Sequence, residues 1–366
     1  MLIVDRQALA AALHLVSPLA PARAAQPALL HALLAFDGSH LTLTTTNIES
    51  RIRTQVVADG TAKAFETATV DVHRLQAIAD RGAGDRLTLE SARGWLAVCV
   101  GGTRAKLPTL PAGEFPVGPE LGPGAAATVT AETFAAALRA ALTTAESDAR
   151  NRPHLAGVRL EVTATELTCV GTNGHHLAAR VGPVLTASGT PFATTIPHRG
   201  ADVLAEALAA ADVTTAVALR FDTHGRLAAS WDAQEWSTVT IDAAFPDWRQ
   251  VLPAATGAPV RIVAGSLLGA LERVRTMREE KVELAVAGAA LTLTMEGPEG
   301  QAEEALPVEG TVGKTRTVGF SPSYLRDGFK LFPDTATVEC TIEATEPLIL
   351  RSAGAPGLVY LLQRRT

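Results

Sequence analysis

Apolar residues recur along this chain at two spacings, and the same succession of spacings returns three times. Leu2-Ile3-Val4 is followed by Leu9 and Leu13, Ala127-Thr128-Val129 by Phe134 and Leu138, and Val260-Arg261-Ile262 by Leu267 and Leu271. A short strand-like run followed by apolar residues four apart predicts a strand leading into an amphipathic helix packed on a sheet. The helices are predicted over 7–17, 131–144 and 266–277. Further along each copy comes a second strand, at Leu41-Thr42-Leu43-Thr44, Leu167-Thr168-Cys169-Val170 and Leu291-Thr292-Leu293-Thr294. A third landmark, a strand running into a short helix, begins at Val70, Ile196 and Phe320. These landmarks recur at intervals of roughly 125 residues, the signature of an internal repeat. The expected organisation is three units, 1–120, 125–253 and 259–366, joined by Gly/Pro-rich linkers. Strands dominate each unit, so the fold class is α+β, with antiparallel sheets and two helices per unit on one face.

Composition narrows the function. Of 366 residues, 47% are hydrophobic and 19% charged, enough to build packed cores. The net charge of −6 argues against nucleic-acid binding by bulk charge. Cys99, Cys169 and Cys340 show no paired spacing, which argues against a disulfide framework or a structural zinc site. Asp5 and Arg6 interrupt any secretory core, and no apolar run is long enough to span a bilayer, so a cytoplasmic protein with no membrane contact is expected.

Catalytic signals are weak. Gly313-Lys314-Thr315 resembles the end of a phosphate-binding loop, but Val308 stands where that loop needs glycine, and the segment reads as a turn. His175 and His176 are neighbours on a strand and point to opposite faces, so they cannot share a metal. No cofactor, metal or catalytic residue is assigned. On these grounds alone three classes stay open: a DNA-associated scaffold, a peptide-binding repeat protein that ignores DNA, and an enzyme whose active site assembles only in the fold.

Two segments are more specific. They are Gly171-Thr172-Asn173-Gly174-His175-His176-Leu177-Ala178 and Phe245-Pro246-Asp247-Trp248-Arg249-Gln250-Val251-Leu252-Pro253. With Arg23 and Pro27-Ala28-Leu29-Leu30, Thr109 to Pro116, and Gly319 to Leu325, they resemble the bacterial sliding clamp family, the β subunit of the replicative DNA polymerase. The resemblance covers the whole chain and allows a divergent copy. It implies a head-to-tail homodimer, a ring with sheets outside and helices lining a central hole that encircles duplex DNA without reading its sequence. The positions matching the family's DNA contacts are Arg23, His73, Arg74, Arg150, Arg152, His154 and Arg199.

The resemblance also implies a pocket for a short peptide of the polymerase III α subunit, the clamp loader or other proteins carrying a clamp-binding motif. Its positions here are Leu155, Thr172, Gly174, His175, His176, Leu177, Pro246, Gln250, Val251, Leu361 and Leu362. His176 and Gln250 depart from residues that are often basic in the family, and the C-terminal tail is more polar. A more acidic peptide is therefore expected, with binding that strengthens as His176 titrates near ~6.5. Removal of 362–366 is expected to weaken that binding and to spare the fold. The ring interface is expected at Arg104, Lys106 and Leu107 on one side and Met277, Glu303 and Glu304 on the other.

Overall fold

The computed structural model describes the chain except residues 62–64, 117, 119–120, 149, 151, 254–258, 276–279, 299, 344–345 and 366. Met277 therefore lies outside the described residues. Among the described residues six α-helices fall two to each third of the chain: α1 (Arg6–Val16), α2 (Val72–Arg81), α3 (Ala131–Leu142), α4 (His198–Ala209), α5 (Ala264–Val274) and α6 (Pro322–Phe329). Three start on a side-chain cap. Asp5 accepts from the Ala8 amide at 2.8 Å, Asp71 from Arg74 at 2.9 Å and Thr130 from Thr133 at 3.2 Å. α1 stops short of its predicted end because Pro18 cannot donate to continue it. Past α3, the Thr144 hydroxyl donates to Gly171 O at 2.8 Å and tethers the helix exit to the sheet.

Every strand pair among the described residues is antiparallel, in one assembly of 13 strands and another of 10. Helix and sheet approach closely at Gly171, where an added Cβ would sit 1.8 Å from Ala141 O. Leu9, Leu13, Phe134, Leu138 and Trp236 belong to one apolar core that runs through the first and middle thirds. A second core fills the last third and takes in Ala140 and Ala178 of the middle one. Cys169 and Cys340 are buried, and burial pushes both thiols well above their usual range.

The last third fuses strands that are separate elsewhere. Val282–Gly297 and Gly300–Phe320 form one long hairpin whose register jumps beside Gly288, from Val286↔Arg316 to Gly288↔Val312 and Ala290↔Pro307. The extra residues lie on the second strand, so Gly313-Lys314-Thr315 sits within a strand and not in the predicted turn. The segment is the bulge between the pairs Gly288↔Val312 and Val286↔Arg316.

Sheets also cross from one third to the next. Ser50–Asp59 pairs with Gln234–Val239, with Ser50 opposite Thr238 and Arg53 opposite Glu235. His176–Pro183 pairs with Leu358–Leu362, with His176 opposite Leu362 and Ala179 opposite Val359. At both seams the second arm of a hairpin in one third is capped by the final strand of the next third.

Candidate functional site

The second seam is built around a tight turn at 172–176. Thr172 Oγ1 donates to His176 O at 2.8 Å and accepts from the Gly174 amide at 3.0 Å. Asn173 Oδ1 accepts from the His175 and His176 amides at 3.0 and 3.2 Å. Gly174 has φ +87°, a conformation glycine adopts without strain, and a Cβ there would displace the Arg152 guanidinium that now lies against it. Asn173 Nδ2 reaches across the seam to the Tyr324 hydroxyl at 3.2 Å.

Strand alternation then divides the expected pocket residues between two faces. Leu177 and its partner Leu361 point one way and join Val170, Ala179 and Trp248 in a small apolar cluster, bordered by Phe245, Leu252 and Val359. Trp248 is fixed from behind. Its Nε1–H points to Glu161 Oε1 at 3.4 Å, and the Arg249 guanidinium lies 4.3 Å over its ring while pairing with Glu161 at 2.8 Å. Pro246, Gln250 and Val251 are exposed beside this cluster, and Gln250 donates to Asp247 at 3.0 Å. Val251 is 46% exposed, an apolar side chain without cover in the chain itself.

His176 and Leu362 point the other way, into the core below the helices. His176 is 4% exposed and Leu362 1%. The Tyr360 hydroxyl gives its one proton to Tyr324 O at 2.6 Å, so it must accept from His176 Nδ1–H at 2.9 Å. The His176 ring also stacks on Tyr324 at 4.1 Å. Burial, with His175 adding to it, holds the imidazole down to about 4. His176 is thus a neutral core residue at pH 6.5, and the expectation that it titrates against a bound peptide is wrong.

On the rim, a cavity of about 400 Å³ is lined by His175, Ser321, Ser323, Tyr324 and the tail residues Gln363 to Arg365. The tail is tied down. Gln363 N–H donates to His175 O at 2.9 Å, and Arg365 N–H to Gly319 O at 2.7 Å. The Arg365 side chain grips the Glu280 carbonyl at 2.6 Å and the Glu280 carboxylate. Leu155 is buried beneath the 153–155 turn. Of the expected pocket residues, His175 alone lines the polar cavity. Thr172, Leu177 and Leu361 share the outer face with Pro246, Gln250 and Val251 nearby in the next segment. Asn173, Trp248 and Tyr324 were missed, although all three lie inside the segments that stood out in the sequence.

The truncation expectation also changes. Cutting before Gln363 removes only rim groups, whereas cutting before Leu362 opens the core. Loss of residues 363–366 removes the Gln363 and Arg365 amide bonds and the Arg365–Glu280 contact and is expected to cost about 1–2 kcal/mol. Loss of Leu362 as well is expected to cost about 2–4 kcal/mol, read by urea unfolding.

The expected DNA contacts sit near helix starts and in the segment before the turn. Arg23, His73, Arg74, Arg150, Arg152 and Arg199 are exposed and His154 is half-buried. Arg74, Arg150 and Arg199 pair locally with Asp71, Asp148 and Asp202 at 3.4, 2.8 and 3.0 Å. Arg199 also donates to Pro18 O, which brings the start of α4 beside the segment carrying Arg23. Arg152 donates to Asn173 O, so this arginine abuts the pocket turn. The His198 amide donates to Ala156 O at 3.2 Å, placing α4 against the 150–156 segment.

A profile of the central domain of the DNA polymerase III β subunit matches residues 128–247, and one of its C-terminal domain matches 249–364. The β sliding clamp of Pseudomonas aeruginosa is 30% identical over 331 residues, covering 88% of each chain. The chain belongs to the bacterial β sliding clamp family. The Synechococcus elongatus β sliding clamp is 27% identical over 372 residues, covering 99% of this chain and 98% of its own. The crystal structure of the P. aeruginosa DNA polymerase III subunit β superposes with TM-score 0.89 at 25% identity, each chain fully covered. The protein is a DNA sliding clamp, a non-catalytic accessory subunit of the replicative polymerase. The peptide-scaffold and hidden-enzyme readings fall away.

Among the described residues, two of the open strand edges correspond in place to the seam strands. Thr103–Pro108 pairs, among the described residues, with Trp95–Val100 alone, and 300–307 pair on one side with 290–297 while Arg261 meets the strand at Glu309. Arg104, Lys106 and Glu303 are exposed on these edges. Leu107 is 6% exposed and faces its own core. Glu304 is held by Arg273 of α5 at 2.6 and 2.8 Å. Those two expected interface residues are therefore engaged inside the chain.

Proposed function

We propose that two copies of this clamp close head to tail into a ring around duplex DNA, each contributing domains 1–120, 125–253 and 259–366. The two seams within the chain carry this reading. Each joins the second arm of a hairpin to the final strand of the next domain. The same strand of the last domain, at 300–307, and the final strand of the first, Thr103–Pro108, are the two that lack partners in this pattern among the described residues. A heterologous contact that repeats the same rotation closes into a ring. Carrying the register of the first seam onto the open edges sets Arg104 opposite Glu303 and Lys106 opposite Gln301. At the first seam the same position holds Arg53 and Glu235, 2.9 Å apart, with the charges the other way round. Like charges then face each other in head-to-head or tail-to-tail contacts, which disfavours both.

In this ring Arg23, His73, Arg74, Arg150, Arg152, His154 and Arg199 meet phosphates. Such contacts position the duplex without reading bases. Encirclement supplies retention, so a chain of net charge −6 needs only weak, mobile contacts. The outer cluster of Leu177, Trp248 and Leu361, with Pro246 and Val251 at its edge, takes the apolar anchors of an extended peptide from the polymerase III α subunit or the clamp loader. His175 and the tail at Gln363 and Arg364 border the polar side. Light scattering over a dilution series tests the ring. A mass of two chains that falls to one only on dilution supports it, and one chain at every concentration overturns it.

A further inference from the structure

The turn that frames the pocket has a twin one domain earlier. Thr46 Oγ1 donates to Ser50 O at 2.8 Å, the Ile48 amide to Thr46 Oγ1 at 3.0 Å and the Ser50 amide to Asn47 Oδ1 at 2.7 Å. Thr172, Gly174, His176 and Asn173 make the same three bonds. The strand end matches as well. Val239 N–H donates to Glu49 O at 2.8 Å, as Gln363 N–H donates to His175 O at 2.9 Å.

The side chains differ in one direction. Where the pocket turn has Gly174 at φ +87°, the twin has Ile48 at φ +82°. A β-branched residue in the left-handed region is strained, and such outliers persist where function uses them. Ile48 is also 60% exposed, and Val239, at the place of Gln363, is 45% exposed. Strain and uncovered apolar surface thus coincide, with no packing gained inside the chain. Both residues border a shallow dent that also involves Glu49, Leu121, Arg51 and Arg226, the two arginines being paired with Glu235 and Asp222. Its volume of about 20 Å³ is too small to receive a side chain, so these aliphatic groups project outward.

We infer that Ile48 and Val239 form a second, raised contact for the same partner protein whose peptide sits at the next seam. This rests on the pocket reading given above. The repeat relates the two turns, so both face the same side of the row of domains. The occupant is an apolar cup on the partner, flanked by a basic side chain that meets the exposed Glu49 carboxylate. Two contacts on one partner add avidity without strengthening the peptide itself.

The test compares two probes, the full-length replicative polymerase subunit of the host and a synthetic peptide of its clamp-binding segment. Ile48→Asp and Val239→Asp are expected to weaken the polymerase at least tenfold and leave peptide affinity unchanged. Ile48→Gly relieves the backbone strain, so it is expected to melt higher than the parent while weakening the polymerase about fivefold. Its higher melting point separates lost contact from lost folding. Unchanged polymerase affinity in all three variants overturns the inference. A change of solution mass in the Asp variants overturns it too, by assigning the patch to contact between copies. Failure of the peptide to bind the parent clamp would instead sink the pocket reading, and it is read from a separate arm of the experiment.

Discussion

Arg104→Glu is expected to open the ring. In the register of the internal seams Arg104 faces Glu303, and the reversal sets two carboxylates against each other on a strand edge. A cross-strand ion pair at a partly exposed site contributes little, but juxtaposed like charges cost several kcal/mol at an interface. Each ring carries two such seams. The dimer dissociation constant should rise at least a hundredfold, and sedimentation in the low micromolar range should show mostly single chains. Glu303→Arg alone should do the same. Combining the two reversals restores opposite charges and should recover most of the dimer. Recovery in the double variant is the informative part, since a misfolded edge would not be rescued by a second change on the opposite edge of the chain. If the single reversals leave the dimer intact, the register is wrong even where the ring survives.

Acid should destabilise this clamp earlier than its carboxylates alone require. His176 is buried and neutral, held down to about 4 by desolvation and by His175, while an unfolded imidazole titrates near ~6.5. The unfolded chain therefore binds a proton that the folded chain refuses. Stability is fully present above the unfolded value and declines as pH falls from ~6.5 towards 4, by about 3 kcal/mol in all. Protonating the ring in place would also put a charge against Tyr324 and Tyr360 at the seam. His176→Gln keeps a donor for the Tyr360 hydroxyl and removes the titration. Its unfolding free energy should be flatter than the parent's between pH 6.5 and 4.5. Parallel curves for parent and variant would show that His176 does not carry the effect.

Much of this was legible before any coordinates. Four-residue apolar spacing found Leu9 and Leu13, Phe134 and Leu138, and Leu267 and Leu271, all buried on helices. The repeat interval placed both helices of each third. What periodicity cannot see is pairing across a seam. His176 and Tyr360 are 184 residues apart, and only the fold shows that a hydroxyl fixes the imidazole proton. One miss was avoidable. Strand alternation sends His176 away from Leu177, yet both were assigned to one pocket; His175, read as a strand neighbour of His176, lies in the turn before the strand, and both rings stack toward Tyr324. Glu304 shows another limit. Its charge made it a candidate for the ring interface, but Arg273 takes up that charge within the same domain. The Gly313-Lys314-Thr315 turn failed because two hairpins fuse in the last third, and no local signal announces the fusion.

Topology, not affinity, should hold this clamp on DNA. The clamp loaded onto nicked circular DNA by its clamp loader, then passed over a sizing column, should elute with the DNA at moderate salt. Cutting the circle once before the column should release it, because a ring with weak phosphate contacts slides off a free end. Equal retention on circular and linear DNA would contradict the account.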